Sequence, residues 1–329
     1  MSAALLTIDG LNVSFGGRDQ PKVMAVRDVS FTVAKGECVV VLGESGSGKS
    51  VTAQSILGLH DPRSTSIEAE KLELDGQNLL SSDLNRVRGS RVAMVFQDAL
   101  SALNPVQRVG QQIAESLRVH RGMGKREAWD RAVELMRAMQ IPDPEQRARN
   151  YPHQLSGGMR QRIMIAMALA LEPELLIADE PTTALDVTVQ LQILQLLRTM
   201  CRERGMSLLM ITHDVGVAAE MADRIVVMYA GKVVEVGSVR EILKAPKHPY
   251  TKGLLGSVPR TDLTALPTPI PGGLPDPRRI PAGCVFAPRC AIAESRCFSE
   301  QPETQHGMGG RELACHLEQV DGSDGDRNE

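Results

Sequence analysis

Cys38-Val39-Val40-Val41-Leu42-Gly43-Glu44-Ser45-Gly46-Ser47-Gly48-Lys49-Ser50 is an apolar, β-branched run that ends in a glycine-rich loop and opens a helical pattern reaching Leu59. A buried strand, a flexible turn and a helix N-terminus in that order make a place for phosphate. The glycines at 43, 46 and 48 let the backbone N–H groups of Glu44, Ser45, Ser47 and their neighbours curl around an anion. Lys49 is placed to reach the β and γ phosphates of a nucleotide, Ser50 to ligate Mg²⁺, and Val51 continues the helix under the phosphates. A glycine-rich turn that binds nothing is the plainer alternative, and the strand–loop–helix context argues against it.

Working outward, further buried strands are expected at Val92 to Phe96, Leu175 to Ala178, Leu208 to Ile211 and Ile225 to Met228. Helical patterns at Arg126 to Met139, Gly158 to Leu171 and Val187 to Cys201 separate them, which predicts an α/β core with a mainly parallel sheet. Two β-like runs between Leu5 and Val33, turning at Gly16-Gly17, predict a small antiparallel sheet. From Gln97 to Ser156 the pattern turns helical and polar, as a helical insertion would. Eight of the 19 prolines lie between Pro259 and Pro288, too dense for helix or central strand, so an extended arm is expected there. The acidic end, residues 321–329, has no apolar anchor and reads as a frayed tail.

Several residues fall on the strand ends that such a fold turns toward the phosphates. Leu175-Leu176-Ile177-Ala178-Asp179-Glu180 closes an apolar strand with two carboxylates. Asp179 suits the metal, directly or through water, and Glu180 suits the base that orients water for in-line attack on a γ-phosphate. Helix capping is the bland alternative for these carboxylates. Gln97 can reach Mg²⁺ or water, and His213 can donate a hydrogen bond to the γ-phosphate; either alone would read as an ordinary loop residue. Ser156, Gly157, Gly158 and Met159 open a helix with exposed N–H groups, a second anion-binding start, although a simple serine N-cap fits the same residues.

Composition bounds the rest. The longest uninterrupted apolar run, Ile163 to Leu171, is 9 residues, about half the length of a membrane-spanning helix. The first residues, MSAALLTIDG, lack the cationic start and apolar stretch of a secretory signal, so a cytoplasmic protein is expected. Lys and Arg number 37 against 40 Asp and Glu, a net charge of −3, which supplies no field for nucleic acid.

Taken together, GESGSGKS, FQD, LSGGMRQR, LLIADEPTTALD and ITHD resemble the nucleotide-binding subunits of ABC transporters, over residues 1 to about 245. The resemblance implies a P-loop NTPase (RecA-like) core with a small antiparallel β subdomain, a helical subdomain at about 98–157 and a cysteine-rich C-terminal extension over 246–320. It implies that two cassettes sandwich two ATP molecules, with Ser156 to Met159 and the D-loop Ala184-Leu185-Asp186 acting on the opposing subunit's nucleotide. It further implies that Phe15 stacks on adenine; a core phenylalanine is the alternative.

KHPYT at 247–251, IPGGLPDPRRIPAGC at 270–284 and PRC at 288–290 resemble the ATP-binding subunits of dipeptide, oligopeptide and nickel importers, most closely the D-type peptide-permease subunit. The implied partners are a paralogous F-type ATPase subunit, two permease membrane subunits and a periplasmic or extracellular substrate-binding protein, with this chain peripheral on the cytoplasmic face of the inner membrane. Nickel and opines are alternative cargoes, and a soluble ABC ATPase without a transport role is the rival of another class. Met159 stands where ABC signatures generally carry Gln, and Ala99 where the branch often has Pro.

Cys284, Cys290, Cys297 and Cys315 lie within 32 residues, spaced C-x5-C-x6-C-x17-C. Four thiolates suit a tetrahedral Zn²⁺ or an iron–sulfur cluster. The spacing lacks the C-x2-C pairs usual for structural zinc, and the resemblance points to [4Fe–4S]. His316 leaves a Cys3His zinc site as competitor, and four packed, unliganded thiols are the remaining alternative.

Overall fold

The computed structural model describes residues 3–16, 22–183, 186–258 and 269–320. The chain folds as two compact units, Met1–Leu5, Ala34–Glu37 and Ser81–Met210 in the first, Leu6–Val33, Cys38–Leu80 and Ile211–Glu329 in the second. The division is not linear in sequence, because the second unit joins the N-terminal strands to the C-terminal third of the chain.

In the second unit the Cys38–Leu42 strand runs parallel to Arg224–Tyr229, pairing Val41 with Val226 and Leu42 with Val227. Val39 to Leu42 are at most 2% exposed, as expected of a strand covered on both faces. The sheet continues from Arg224–Tyr229 to Lys232–Ser238, Glu312–Leu313 and Gln305–His306 by antiparallel pairings. A separate antiparallel sheet has Ala4–Phe15 at its centre, with Val23–Ala34 on one side and Lys71–Leu74 then Gln77–Asn78 on the other. Leu6 and Ile8 stand opposite Leu74 and Leu72, and all four are buried, so one face of this sheet is core. The Gly16-Gly17 turn is described only to Gly16, and the tail 321–329 lies outside the described residues.

In the first unit Val92–Val95 and Leu175–Asp179 form a parallel pair, Val92 opposite Leu175 and Val95 opposite Ala178. The elements between residues 98 and 157 are helical, the longest being Val109–Arg121 and Lys125–Ala138. Gly110 opens space for its neighbours: a Cβ there would stand 2.8 Å from the Ala148 Cβ and 3.0 Å from the Trp129 ring. Gly157–Leu169 and Val187–Arg204 complete the unit's long helices. Among the described residues no helix is long and apolar enough to cross a membrane.

The C-terminal region is tied to its unit by a buried polar knot as well as by apolar packing. Glu235, fully buried in the Lys232–Ser238 strand, accepts the N–H groups of Lys247 (2.8 Å) and His248 (3.0 Å) and pairs with Arg311 at 2.9 Å. A carboxylate with three donors is satisfied, and removing any of them strands a buried charge. His248, 1% exposed, accepts the Tyr250 N–H on Nδ1 at 3.0 Å and so caps the Pro249–Gly256 helix. Burial pushes His248 down to about 3, and its hydrogen bond to the Ala314 backbone does not offset that.

A histidine held neutral in the fold protonates first in the unfolded chain. Its contribution is therefore whole above the unfolded value of about 6.5 and is lost progressively as pH falls toward 3. Between pH 7.5 and 5.5 urea denaturation should show a loss of about 1.4 kcal/mol from this group. The His248→Asn variant, which keeps an acceptor for Tyr250, should lack that increment of the slope.

Candidate functional site

The phosphate loop is closed by backbone contacts that exclude side chains at two glycines. A Cβ on Gly43 would lie 2.2 Å from the Met228 carbonyl oxygen, and one on Gly48, at φ 96°, would lie 2.7 Å from that of Ala25. Gly46 is also left-handed, at φ 82°. The helix Lys49–Ile56 opens on Gly48 without a side-chain cap, which turns its first N–H groups toward the loop's concave side. Lys49 is 5% exposed and donates to the carbonyls of Gly43 (2.8 Å) and Glu44 (2.9 Å) and to Ser47 Oγ (3.4 Å). Its ammonium is thus held at the loop's own rim, where a phosphate oxygen would compete for it. Ser45 is exposed, Ser50 half-buried, and Val51 follows in the helix.

Two features of this loop escape sequence reading, because the residues involved are more than 200 positions away. The Glu44 N–H donates to Tyr250 Oη at 2.9 Å, and the Glu44 carboxylate takes both arms of Arg289, at 2.7 and 3.2 Å. Nearby, Val23, Met24, Gly46, Gly48, Leu274 and Pro277 help to line an apolar cavity of about 310 Å³, so the proline-rich arm forms one wall of it. The arm's residues 259–268 lie outside those described.

In the first unit, Asp179 ends its strand 4% exposed. Glu180 follows with φ 46°, a left-handed conformation that a non-glycine residue adopts at a cost and that recurs at functional sites. Its Oε2 accepts from Gln97 Nε2 and from Thr183 Oγ1, both at 2.9 Å. Two of the expected residues, Gln97 and Glu180, are therefore brought into direct contact. Thr183 is a third that went unnoticed; its spacing of three from Glu180 within a turn was the available signal. Hard oxygen donors on Asp179 and Gln97 fit the chemistry of Mg²⁺, and in the second unit so does the Ser50 hydroxyl.

Ser156 is exposed and caps the Gly157–Leu169 helix, its Oγ accepting the Met159 N–H at 3.3 Å. The N-cap alternative is thus realised, with Gly157 exposed beside it. Gly158 has a packing reason as well: a Cβ there would lie 2.8 Å from Val189 Cγ1. Asp186 caps the following long helix, accepting the Val189 N–H at 2.9 Å; Ala184 and Leu185 lie outside the described residues. His213 is exposed at the end of Ser207–Thr212. Phe15 is half-buried at its strand end and meets His60 edge-on, ring centroids 5.3 Å apart, so it is not one of the fully buried core residues.

The four clustered cysteines share one neighbourhood. Cys284 N–H donates to the Cys297 carbonyl at 2.8 Å, and the thiols of Cys297 and Cys315 act electrostatically on both Cys284 and Cys290. Burial raises Cys284 and Cys290 above the ordinary thiol value. Among the described residues, however, no three His, Cys, Asp or Glu side chains are arranged to hold a metal ion. The expected cluster geometry is thus not composed among the described residues, and Cys315 packs with Leu313 and Val320 in a small apolar group. His316 Nε2 is hydrogen-bonded with the Glu300 carbonyl at 3.0 Å.

Comparison with known proteins agrees with the motifs. Residues 26–183 match the ABC transporter family model, and residues 234–297 match the oligopeptide/dipeptide transporter C-terminal region. A Brucella melitensis chain that carries the provisional name of a peptide import ATP-binding protein is 50% identical over 319 residues, 95% of each chain. The oligopeptide transport ATP-binding protein AppD of Bacillus subtilis is 45% identical over 330 residues, 98% of this chain and 99% of AppD. Among solved structures, the ATP-binding cassette MJ0796, dimeric in a post-hydrolysis state with ADP and Pi, superposes with a TM-score of 0.64 at 30% identity, covering 71% of this chain and 99% of that one.

The close approach at Gly43 generates a direct test. Gly43→Ala forces the loop off the Met228 carbonyl, a distortion of the order of 1–3 kcal/mol for an over-packed site. ATP affinity, measured by equilibrium binding of a fluorescent analogue, should fall roughly tenfold or more.

Proposed function

The chain belongs to the ABC transporter family, and from that membership we propose that it is the ATP-hydrolysing subunit of an importer of dipeptides or oligopeptides. The observation that carries the catalytic part is Glu180, set in a left-handed backbone and oriented by Gln97 and Thr183. The match of residues 234–297 and the names of its full-length relatives support peptides over nickel or opines. A soluble ABC ATPase without a transport role finds no support in that C-terminal region.

In this reading the 43–50 backbone and Lys49 bind the phosphates, and Phe15 stacks on the base. Ser50 in the second unit, and Asp179 and Gln97 in the first, are the residues that would ligate Mg²⁺, which would supply charge neutralisation at the phosphates. Glu180 orients a water and takes its proton as the new O–P bond forms and the bond to the leaving ADP breaks. His213 donates to the γ-phosphate. Ser156, Gly157, Gly158, Met159 and Asp186 complete the site of an opposing cassette, a paralogous F-type subunit. The exposed Ser156 and Gly157 suit that role.

The cassette is taken as residues 1–245, with its helical subdomain at 98–157, and the extension as 246–320. Between the helices Val109–Arg121 and Lys125–Ala138 lies a groove lined by Gln111, Ala114, Arg118, Lys125 and Trp129, with Val119 exposed on the first helix. That groove would receive a cytoplasmic helix of one of two permease subunits, which places the chain peripherally on the cytoplasmic face of the membrane. A substrate-binding protein outside would select the cargo.

A second reading concerns the cysteines. Their gathering, with Cys297 and Cys315 acting on both other thiols, supports a shared metal centre, [4Fe–4S] before Zn²⁺, in a segment with little apolar core of its own. The role would be structural.

Two measurements test these readings. Glu180→Gln in the assembled transporter should keep ATP binding and lower steady-state phosphate release by about 10² to 10⁴; a loss below about threefold would remove Glu180 from the role. Anaerobic purification followed by iron, sulfide and zinc analysis should give four irons and four sulfides per chain; zinc without sulfide, or no metal, would end the cluster reading.

A further inference from the structure

Glu44 occupies a position of the phosphate loop where the motif accepts any residue, yet both its backbone and its side chain are held from the C-terminal region. Arg289 contacts it across 245 positions of sequence. The Arg289 side chain is 7% exposed and that of Glu44 28%, so the pair is sheltered and its two-armed geometry is the strong form of a carboxylate contact. Arg289 spends its remaining donors on the carbonyls of Pro271 (2.8 Å) and Ile270 (3.4 Å) and on Tyr229 Oη (3.3 Å).

The guanidinium therefore joins three pieces: the phosphate loop, the end of the Arg224–Tyr229 strand, and the root of the arm whose Leu274 and Pro277 wall the apolar cavity beside Gly46 and Gly48. Its own backbone is fixed. Phe286, just before the turn Ala287–Arg289, packs on Tyr229 and Tyr250 with ring centroids at 5.2 and 5.5 Å. Tyr250 is the same residue whose hydroxyl accepts the Glu44 N–H. Cys290 follows directly, so the cysteine-bearing segment and the phosphate loop meet at this arginine.

We propose that Arg289 is a positioning residue for nucleotide: through Glu44 it holds the phosphate loop in its receiving shape and makes the C-terminal segment a determinant of ATP affinity. This rests on reading residues 43–50 as the ATP site. Arg289 touches no reacting atom in this scheme, so its loss acts on binding and not on the chemical step.

The test is a double-mutant cycle on the assembled transporter, with ATP affinity and steady-state turnover read separately. Arg289→Ala should raise KM for ATP roughly tenfold, the order of one partly screened charge-assisted contact, with kcat within about twofold. Glu44→Ala should do the same, and the double variant should be no worse than the weaker single. Arg289→Lys, which keeps charge without the fork, should fall between. An unchanged KM in Arg289→Ala, a fall in kcat alone, or fully additive effects would overturn the proposal. Should Arg289→Ala fail to fold, Glu44→Ala decides, since it leaves the arginine's other partners in place: an unchanged KM there is equally fatal. If the unsubstituted transporter binds no ATP, the nucleotide-site reading falls first and this one with it.

Discussion

The shape of the phosphate loop in the second unit follows from one constraint: where a neighbouring carbonyl stands directly behind the turn, at Gly43 and Gly48, no side chain fits. The Met228 and Ala25 carbonyls come so close to Gly43 and Gly48 that the loop is shaped as much by what lies behind it as by its own sequence. The parallel pairing of Cys38–Leu42 with Arg224–Tyr229 sets that backing in place. Lys49, bonded to the loop's own carbonyls, then adds positive charge without a long, mobile side chain reaching through water.

The first unit solves a different problem, that of aiming two adjacent carboxylates, Asp179 and Glu180, in different directions. Adjacent residues on an extended strand point to opposite sides. The left-handed turn at Glu180 breaks that alternation immediately after Asp179. Hydrogen bonds from Gln97 and Thr183 to a single oxygen fix the rotation that the backbone leaves open. Local strain of the order of 1–3 kcal/mol is the cost of placing this carboxylate where a regular strand would not.

Much of this was legible in the sequence because it is local. The run Cys38 to Leu42 is the observed strand residue for residue, and Leu175 to Ala178 falls one residue short of the observed end. The long helices were also found, since Arg126 to Met139 and Val187 to Cys201 carry a strong period. Short strands were missed where polar residues dilute the pattern, as in Lys71–Leu74 and Lys232–Ser238. In the second of these the buried Glu235 reads as a surface residue until Arg311 is brought to it. At the candidate site, motif spacing singles out Gln97 and Glu180, which are in contact, and Lys49, which closes on its own loop, while Tyr250 and Arg289 carry no signal that connects them to position 44. For the cysteines the clustering in sequence is conspicuous, whereas the packing of Cys315 against Leu313 and Val320 is not legible there.

The contact between Gly158 and Val189 bears on how the first unit can move. With only a hydrogen where a Cβ would stand 2.8 Å from Val189, the helix opening at Ser156 and the helix capped by Asp186 mesh at their first turns like two gear teeth. The valine's branch fills the place that a Cβ would take, so the two helix starts can come no closer than that branch allows. A glycine kept for its lack of bulk therefore sets how near the helix starts capped by Ser156 and Asp186 can lie.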